Sequence, residues 1–196
     1  MKIQMREFAE DDGRVLAGAP NGMRVMSKLV ELTGEEPAEP EPVFLDFEGV
    51  EVATASFLRE SILAFRDRVR GRRSNFYPVL ANAGPLIADE LRVLVGTQGD
   101  VLMLCSLDAN GTAGGHRLMG NLDAKQRLTL DLINQLGETD AAQLMREHGK
   151  SEKITVQTAW NNRLAALANL GLVVELNRGR AKRYRPLFSE TLAHGN

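Results

Sequence analysis

The chain is expected to fold as an α/β N-terminal domain, with helices on a mixed sheet, followed by a mainly α C-terminal domain closed by a β-hairpin. Three observations predict this. Strand-like and helix-like segments alternate as far as residue 107, the pattern of helices layered on a sheet. A glycine-rich stretch without apolar periodicity, DANGTAGGHRLMGN at 108–121, then interrupts the chain and reads as a linker. The charge changes sign across that stretch: residues 1–122 carry 13 Lys+Arg against 18 Asp+Glu, and residues 123–196 carry 11 against 8. The boundaries that follow are 1–107, a linker at 108–122, and 123–196.

In the first domain, strands are expected at KIQMREF (2–8), RVLAG (14–18), PVFLDFE (42–48), FYPVLAN (76–82) and DVLMLCSL (100–107). Several are short apolar runs of the kind that a buried sheet uses. Helices fill the gaps. GMRVMSKLVEL (22–32) follows the turn signal APNG, and PLIADELRVLVG (85–96) opens on proline and closes on glycine. TASFLRESILAFRDRVR (54–70) places Leu58, Ile62, Phe65 and Val69 on one face. Arg59, Arg66, Arg70 and Arg73 share a flank of that helix, expected to be solvated and open to an acidic partner or a phosphate backbone.

In the second domain, DAKQRLTLDLINQLGE (123–138) aligns Leu128, Leu132, Ile133 and Leu136, and TDAAQLMREHG (139–149) is a short second helix. A third helix, capped by Thr155, carries Val156, Trp160, Leu164 and Leu167 on its buried face and stops at Gly171. Two β-rich runs then flank a turn at Asn177 and Gly179. Three helices and a hairpin, in that order, are the plan of a winged helix-turn-helix. The face of the third helix opposite its apolar stripe holds Thr158, Asn161, Asn162, Ala165 and Asn169. Asparagine can bond both edges of an adenine, and threonine or alanine methyls can touch thymine. Arg163 falls at the rim, suited to a phosphate or a structural carboxylate. The hairpin holds Arg178, Arg180, Lys182, Arg183 and Arg185 within eight residues, cations placed to neutralise backbone phosphates.

Two family resemblances add to this reading. The pattern T-x-x-x-x-W-N-x-R-L-x-x-L-x-x-x-G-L-V, followed by a basic hairpin and Y-R-P-L, resembles the recognition helix and wing of bacterial winged-helix transcription regulators over residues 123–187. It implies double-stranded DNA as partner, with contacts from Gln157, Thr158, Asn161, Asn162, Arg163, Ala165, Arg178, Arg180, Lys182 and Arg183, and a homodimer to read a site of useful length. VFLDFEGVEVATASFLRESI (43–62) resembles the STAS and STAS-like domains through Leu45, Asp46, Phe47, Gly49, Val50, Thr54, Ser56 and Phe57. That resemblance covers residues 1–107. It implies a sensing or assembly role, a regulatory protein partner, and a place for phosphorylation at Ser56, with a partner-switching interaction module as the alternative overall function. The residues themselves give Thr54 or Ser56 the simpler role of helix N-cap.

Other classes find little support. No nucleophile–base pair, cofactor motif or metal-ligand spacing is found, and His116, His148 and His194 lie far apart. No catalytic residue, cofactor or metal is therefore expected. Asp46 and Glu48 are read as turn carboxylates. The single cysteine, Cys105, sits in an apolar run and is expected to be buried and inert, as in a reducing compartment. With no long apolar segment and no signal-peptide core, no membrane association and a cytoplasmic location are expected.

Overall fold

The computed structural model describes residues 1–9, 14–178 and 181–188. They form a mixed α/β protein of two compact units, the first covering Met1–Asn121 and the second starting at Leu122.

The first unit is built on a five-stranded sheet in the order β1 (Lys2–Gln4), β3 (Glu41–Asp46), β5 (Phe76–Ala81), β6 (Val101–Leu107) and β7 (Ala113–Gly120). The first four are parallel and β7 runs antiparallel to β6. A separate parallel pair joins β2 (Val15–Leu16) to β4 (Val52–Ala53). The run expected as one strand at 2–8 is split, because Met5–Phe8 closes into a 3₁₀ turn after β1. The helices are α1 (Ala19–Leu32), α2 (Ala55–Leu58), α3 (Ala64–Gly71) and α4 (Pro85–Gln98). APNG is not a turn before α1 but its first residues, with Pro20 in the first turn, where a missing N–H costs nothing. α4 ends on Gly99, whose φ of 63° is the left-handed stop that glycine adopts freely.

One π-turn, Arg59–Leu63, joins α2 to α3 and changes what the helix buries. The extra residue rotates everything after it by about 100° relative to an uninterrupted α-helix. Leu58, Ile62, Phe65 and Val69 are buried as their spacing predicts, and each contributes about 1.5–3 kcal/mol. The buried arc is wider than that stripe. It takes in Arg66 and Arg70, at 6% and 4% exposure, so the expected solvated arginine flank is not formed. Arg66 donates to both carboxylate oxygens of Asp100, at 2.9 and 2.6 Å, and to the Val101 carbonyl at 3.2 Å. Burial works against its charge, but hydrogen bonds to Asp100 and Asp67 and their fields outweigh that and raise its pKa above the usual arginine value. Arg70 lies 3.9 Å over the Tyr77 ring and donates to the carbonyls of Ser74 and Phe76.

The glycine-rich segment corrects a second expectation. Residues 108–120 are not a linker: Asp108 accepts from the amides of Asn110 and Thr112 to make a tight turn, and β7 returns along β6. The glycines serve the strand. A Cβ at Gly120 would stand 2.1 Å from the Asp100 carbonyl oxygen, with φ at 99°, so only glycine fits that approach to the neighbouring strand.

The second unit comprises α5 (Ala124–Leu136), α6 (Ala141–His148), α7 (Gln157–Asn169) and an antiparallel pair, β8 (Val173–Arg178) with β9 (Ala181–Pro186). Asp123 caps α5 in a capping box with Gln126, and Asp140 caps α6 by accepting from the Gln143 amide. Thr139 exchanges backbone hydrogen bonds with Tyr184, which ties the entry of α6 to the hairpin. Trp160, Leu164, Leu167, Val173 and Val174 are fully buried and form the centre of this unit.

Candidate nucleic-acid interface

The turn before α7 sets where that helix begins. Gly149 is packed so closely that a Cβ would meet the Met145 carbonyl oxygen at 2.4 Å, and its own carbonyl accepts from Ile154 N–H at 2.8 Å. The His148 carbonyl accepts from both the Ser151 hydroxyl and the Glu152 amide. This compact loop carries the chain to Val156, the N-cap of α7, which makes no side-chain cap bond. Two expectations are corrected there. Thr155 is not the cap, and Val156 is not on the buried face but 59% exposed, because the helix starts one residue later than the apolar spacing suggests.

From this start α7 exposes Gln157, Thr158, Asn161 and Asn162, with Asn169 further along the same exposed set and Ala165 half-buried. No acidic residue stands in its first turn. The exposed surface is polar and uncharged, made of amides and one hydroxyl. Arg163 does not join it. Its guanidinium lies 4.8 Å from the centroid of the Trp160 ring and 3.9 Å from the Glu152 carboxylate, an ion pair without a hydrogen bond, and its side chain is only 13% exposed. Of the two roles suited to Arg163, it fills that of partner to a structural carboxylate, tying the loop to the helix.

The hairpin stands beside this surface. Its register pairs Asn177 with Lys182 and Arg178 with Ala181. Arg180 lies outside the described residues, as does Gly179. Lys182 is exposed and donates to Glu175 at 2.7 Å, and Tyr184 donates its hydroxyl to the same carboxylate at 3.2 Å. Arg183 has its Nε 2.7 Å from Glu138, a charge contact rather than an aligned hydrogen bond. Glu175 and Glu138 are the residues that sequence reasoning missed, since their pairing follows from strand register and from the return of the chain past α5. A hollow of about 590 Å³ opens between the start of α6, the first turns of α7 and β9, lined by Asp140, Ala141, Gln157, Asn161, Lys182 and Tyr184.

The other candidate positions are in the first unit. Thr54 is the N-cap of α2: its Oγ1 accepts from Phe57 N–H at 3.4 Å and from Gly18 N–H at 3.2 Å. Ser56 is half-buried, its hydroxyl 3.2 Å from that of Thr54. Asp46 is 1% exposed and accepts from Glu48 N–H and Asn82 Nδ2, with Lys2 at 3.4 Å. Cys105 is buried, and desolvation, with the field of Asp46, pushes its pKa up to about 12. His194 lies outside the described residues. Among the described residues there is no group of three or more His, Cys, Asp or Glu able to hold a metal, and no helix long and apolar enough to cross a membrane. Comparison with known proteins finds no family model and no curated protein that matches this chain.

Proposed function

We propose that this protein is a DNA-binding transcriptional regulator. In this reading the second unit is a winged helix whose α7 enters the major groove of double-stranded DNA, and the first unit is a STAS-like domain for sensing or assembly. The observation that carries it is the exposed, uncharged set Gln157, Thr158, Asn161 and Asn162 on a helix flanked by a basic hairpin. Solvent faces of helices ordinarily carry Lys and Glu. A face of short amides and hydroxyls is suited to direct reading of base edges, while the hairpin cations contact phosphates. One such unit reads a short site, so the active species is a homodimer.

The experiment is fluorescence anisotropy with duplex DNA, first of random sequence across a salt series and then with sites selected from a random pool. Binding that weakens steeply with salt is expected. Asn162→Ala should alter the selected sequence and change discrimination at one position by about 1–3 kcal/mol, while leaving affinity for random duplex unchanged. Absence of salt-dependent binding by the wild-type protein overturns the reading. A second reading, an interaction module of a partner-switching pathway, is favoured by the neutralisation of Lys182 and Arg183 by the protein's own carboxylates. The same salt series separates the two.

A further inference from the structure

We infer that Arg68, Arg72 and Arg73, on the first unit, form a second contact surface for the phosphate backbone of duplex DNA. This rests on the DNA-binding reading above and adds to it a site outside the winged-helix candidate. Six arginines lie between residues 59 and 73, and the structure sorts them. Arg66 and Arg70 are buried and bonded inside the fold. Arg59 is paired with Glu60 at 3.0 Å. Arg68, Arg72 and Arg73 remain exposed, and none has a carboxylate within ion-pair distance among the described residues. The acids nearest in sequence and in the hydrogen-bond network are engaged elsewhere: Asp67 holds Arg66, and Glu36 accepts from the Ser74 hydroxyl and the Asn75 amide.

Three features of the patch fit a phosphate backbone. All three cations are arginines, whose forked guanidinium matches phosphate oxygens two at a time. Arg68 and Arg72 are one helical turn apart, a rise of about 6 Å, comparable with two phosphate steps along one strand at about 3.4 Å of axis each. None of the large apolar side chains that the structure exposes belongs to α3 or the turn after it. A protein partner would need such an anchor at the centre of its interface, whereas a phosphate backbone needs none.

The test uses the full chain and a random-sequence duplex, with the slope of log affinity against log salt as the readout. Converting Arg68, Arg72 and Arg73 together to Gln should lower the magnitude of the slope by about 2–3, at 0.9 per phosphate. Arg68→Gln alone should lower it by about 0.9. Replacing all three by Lys should keep the slope, and Arg92→Gln, which removes an equal charge already paired with Asp89, should not change it. Urea midpoints equal to wild type establish that the variants are folded. A triple Gln variant with the wild-type slope overturns this inference and leaves the DNA-binding reading standing. A wild-type protein without salt-dependent binding overturns both. Retention of the wild type, and not of the triple variant, on a poly-glutamate resin, with equal DNA slopes, would overturn it in favour of an acidic polypeptide.

Discussion

The arginine-rich helix of the first unit and the third helix and hairpin of the second treat their polar side chains differently. The first unit takes several inside: Arg66, Arg70, Asp46 and Ser61 are all buried, and each is satisfied by a specific partner, Ser61 by the Phe57 carbonyl at 2.7 Å. The second unit buries Thr129 and Thr139 but leaves others out: Gln157, Thr158, Asn161 and Asn162 are exposed on one helix, and Lys182 is paired at the surface. Burial makes a polar group expensive to disturb, because its removal strands a partner without water. Exposure makes it available to something else. Arginine density alone does not distinguish the two regions, since both are rich in cations. What differs is the set of partners: Arg66 and Arg70 meet Asp100, Tyr77 and backbone carbonyls inside the fold, whereas Lys182 meets Glu175 at the surface.

The largest expected effect tests the buried side of this contrast. Arg66→Ala leaves Asp100, whose side chain is 13% exposed, without its bidentate partner. A loss of about 3–5 kcal/mol in urea unfolding is expected, the range for breaking a buried pair by removing one member. A loss under about 1 kcal/mol would mean that water reaches Asp100 and that the first unit does not differ from the second in this respect.

The next effect depends on pH. The Cys105 thiol, with its pKa pushed up to about 12, stays protonated in the folded chain at alkaline pH, while an unfolded cysteine releases its proton from about pH 8.5. Between those values the unfolded chain binds fewer protons, so stability falls as pH rises, by at most about 1.4 kcal/mol per unit, and is fully retained below the window. Unfolding free energies of wild type and Cys105→Ala at pH 8 and pH 10 check this. The difference between them should shrink toward pH 10, and a constant difference would show that the thiol ionises as freely as in water.

How much of this could be read from the sequence depends on whether a feature follows the local period. Leu58, Ile62, Phe65 and Val69, and Trp160, Leu164 and Leu167, follow the helical repeat and are buried where it puts them. The exposure of Thr158, Asn161 and Asn162 follows from the same repeat. The burial of Arg66 and Arg70 does not, because it depends on partners outside the helix, Asp100 for Arg66 and Tyr77 for Arg70. The exposure of Val156 does not follow the repeat either, because it depends on where α7 starts, which the Gly149–Ile154 loop sets. Glycines at 111–120 suggest a break because glycine weakens a strand in general, yet at Gly120 the contact with Asp100 requires it. Ion pairs such as Lys182–Glu175 depend on hairpin register, and Arg183–Glu138 joins residues far apart in the chain.

The smallest expected effect tests the exposed side. Lys182 and Glu175 are 44% and 16% exposed, so their attraction is weakened by water and by salt. In a double-mutant cycle of Lys182→Ala and Glu175→Gln, the coupling energy should be about 0.2–1 kcal/mol and should fade at 1 M salt, where screening acts over about 3 Å. A coupling as large as the cost of Arg66→Ala would mean that the hairpin cation is held as firmly as the buried one. Under the proposed DNA-binding function a small coupling has a consequence: Lys182 would exchange Glu175 for a phosphate at little cost, so its neutralisation in the free protein does not argue against that role. By the same measure Arg66, bonded to Asp100 and with its side chain only 7% exposed, cannot be recruited.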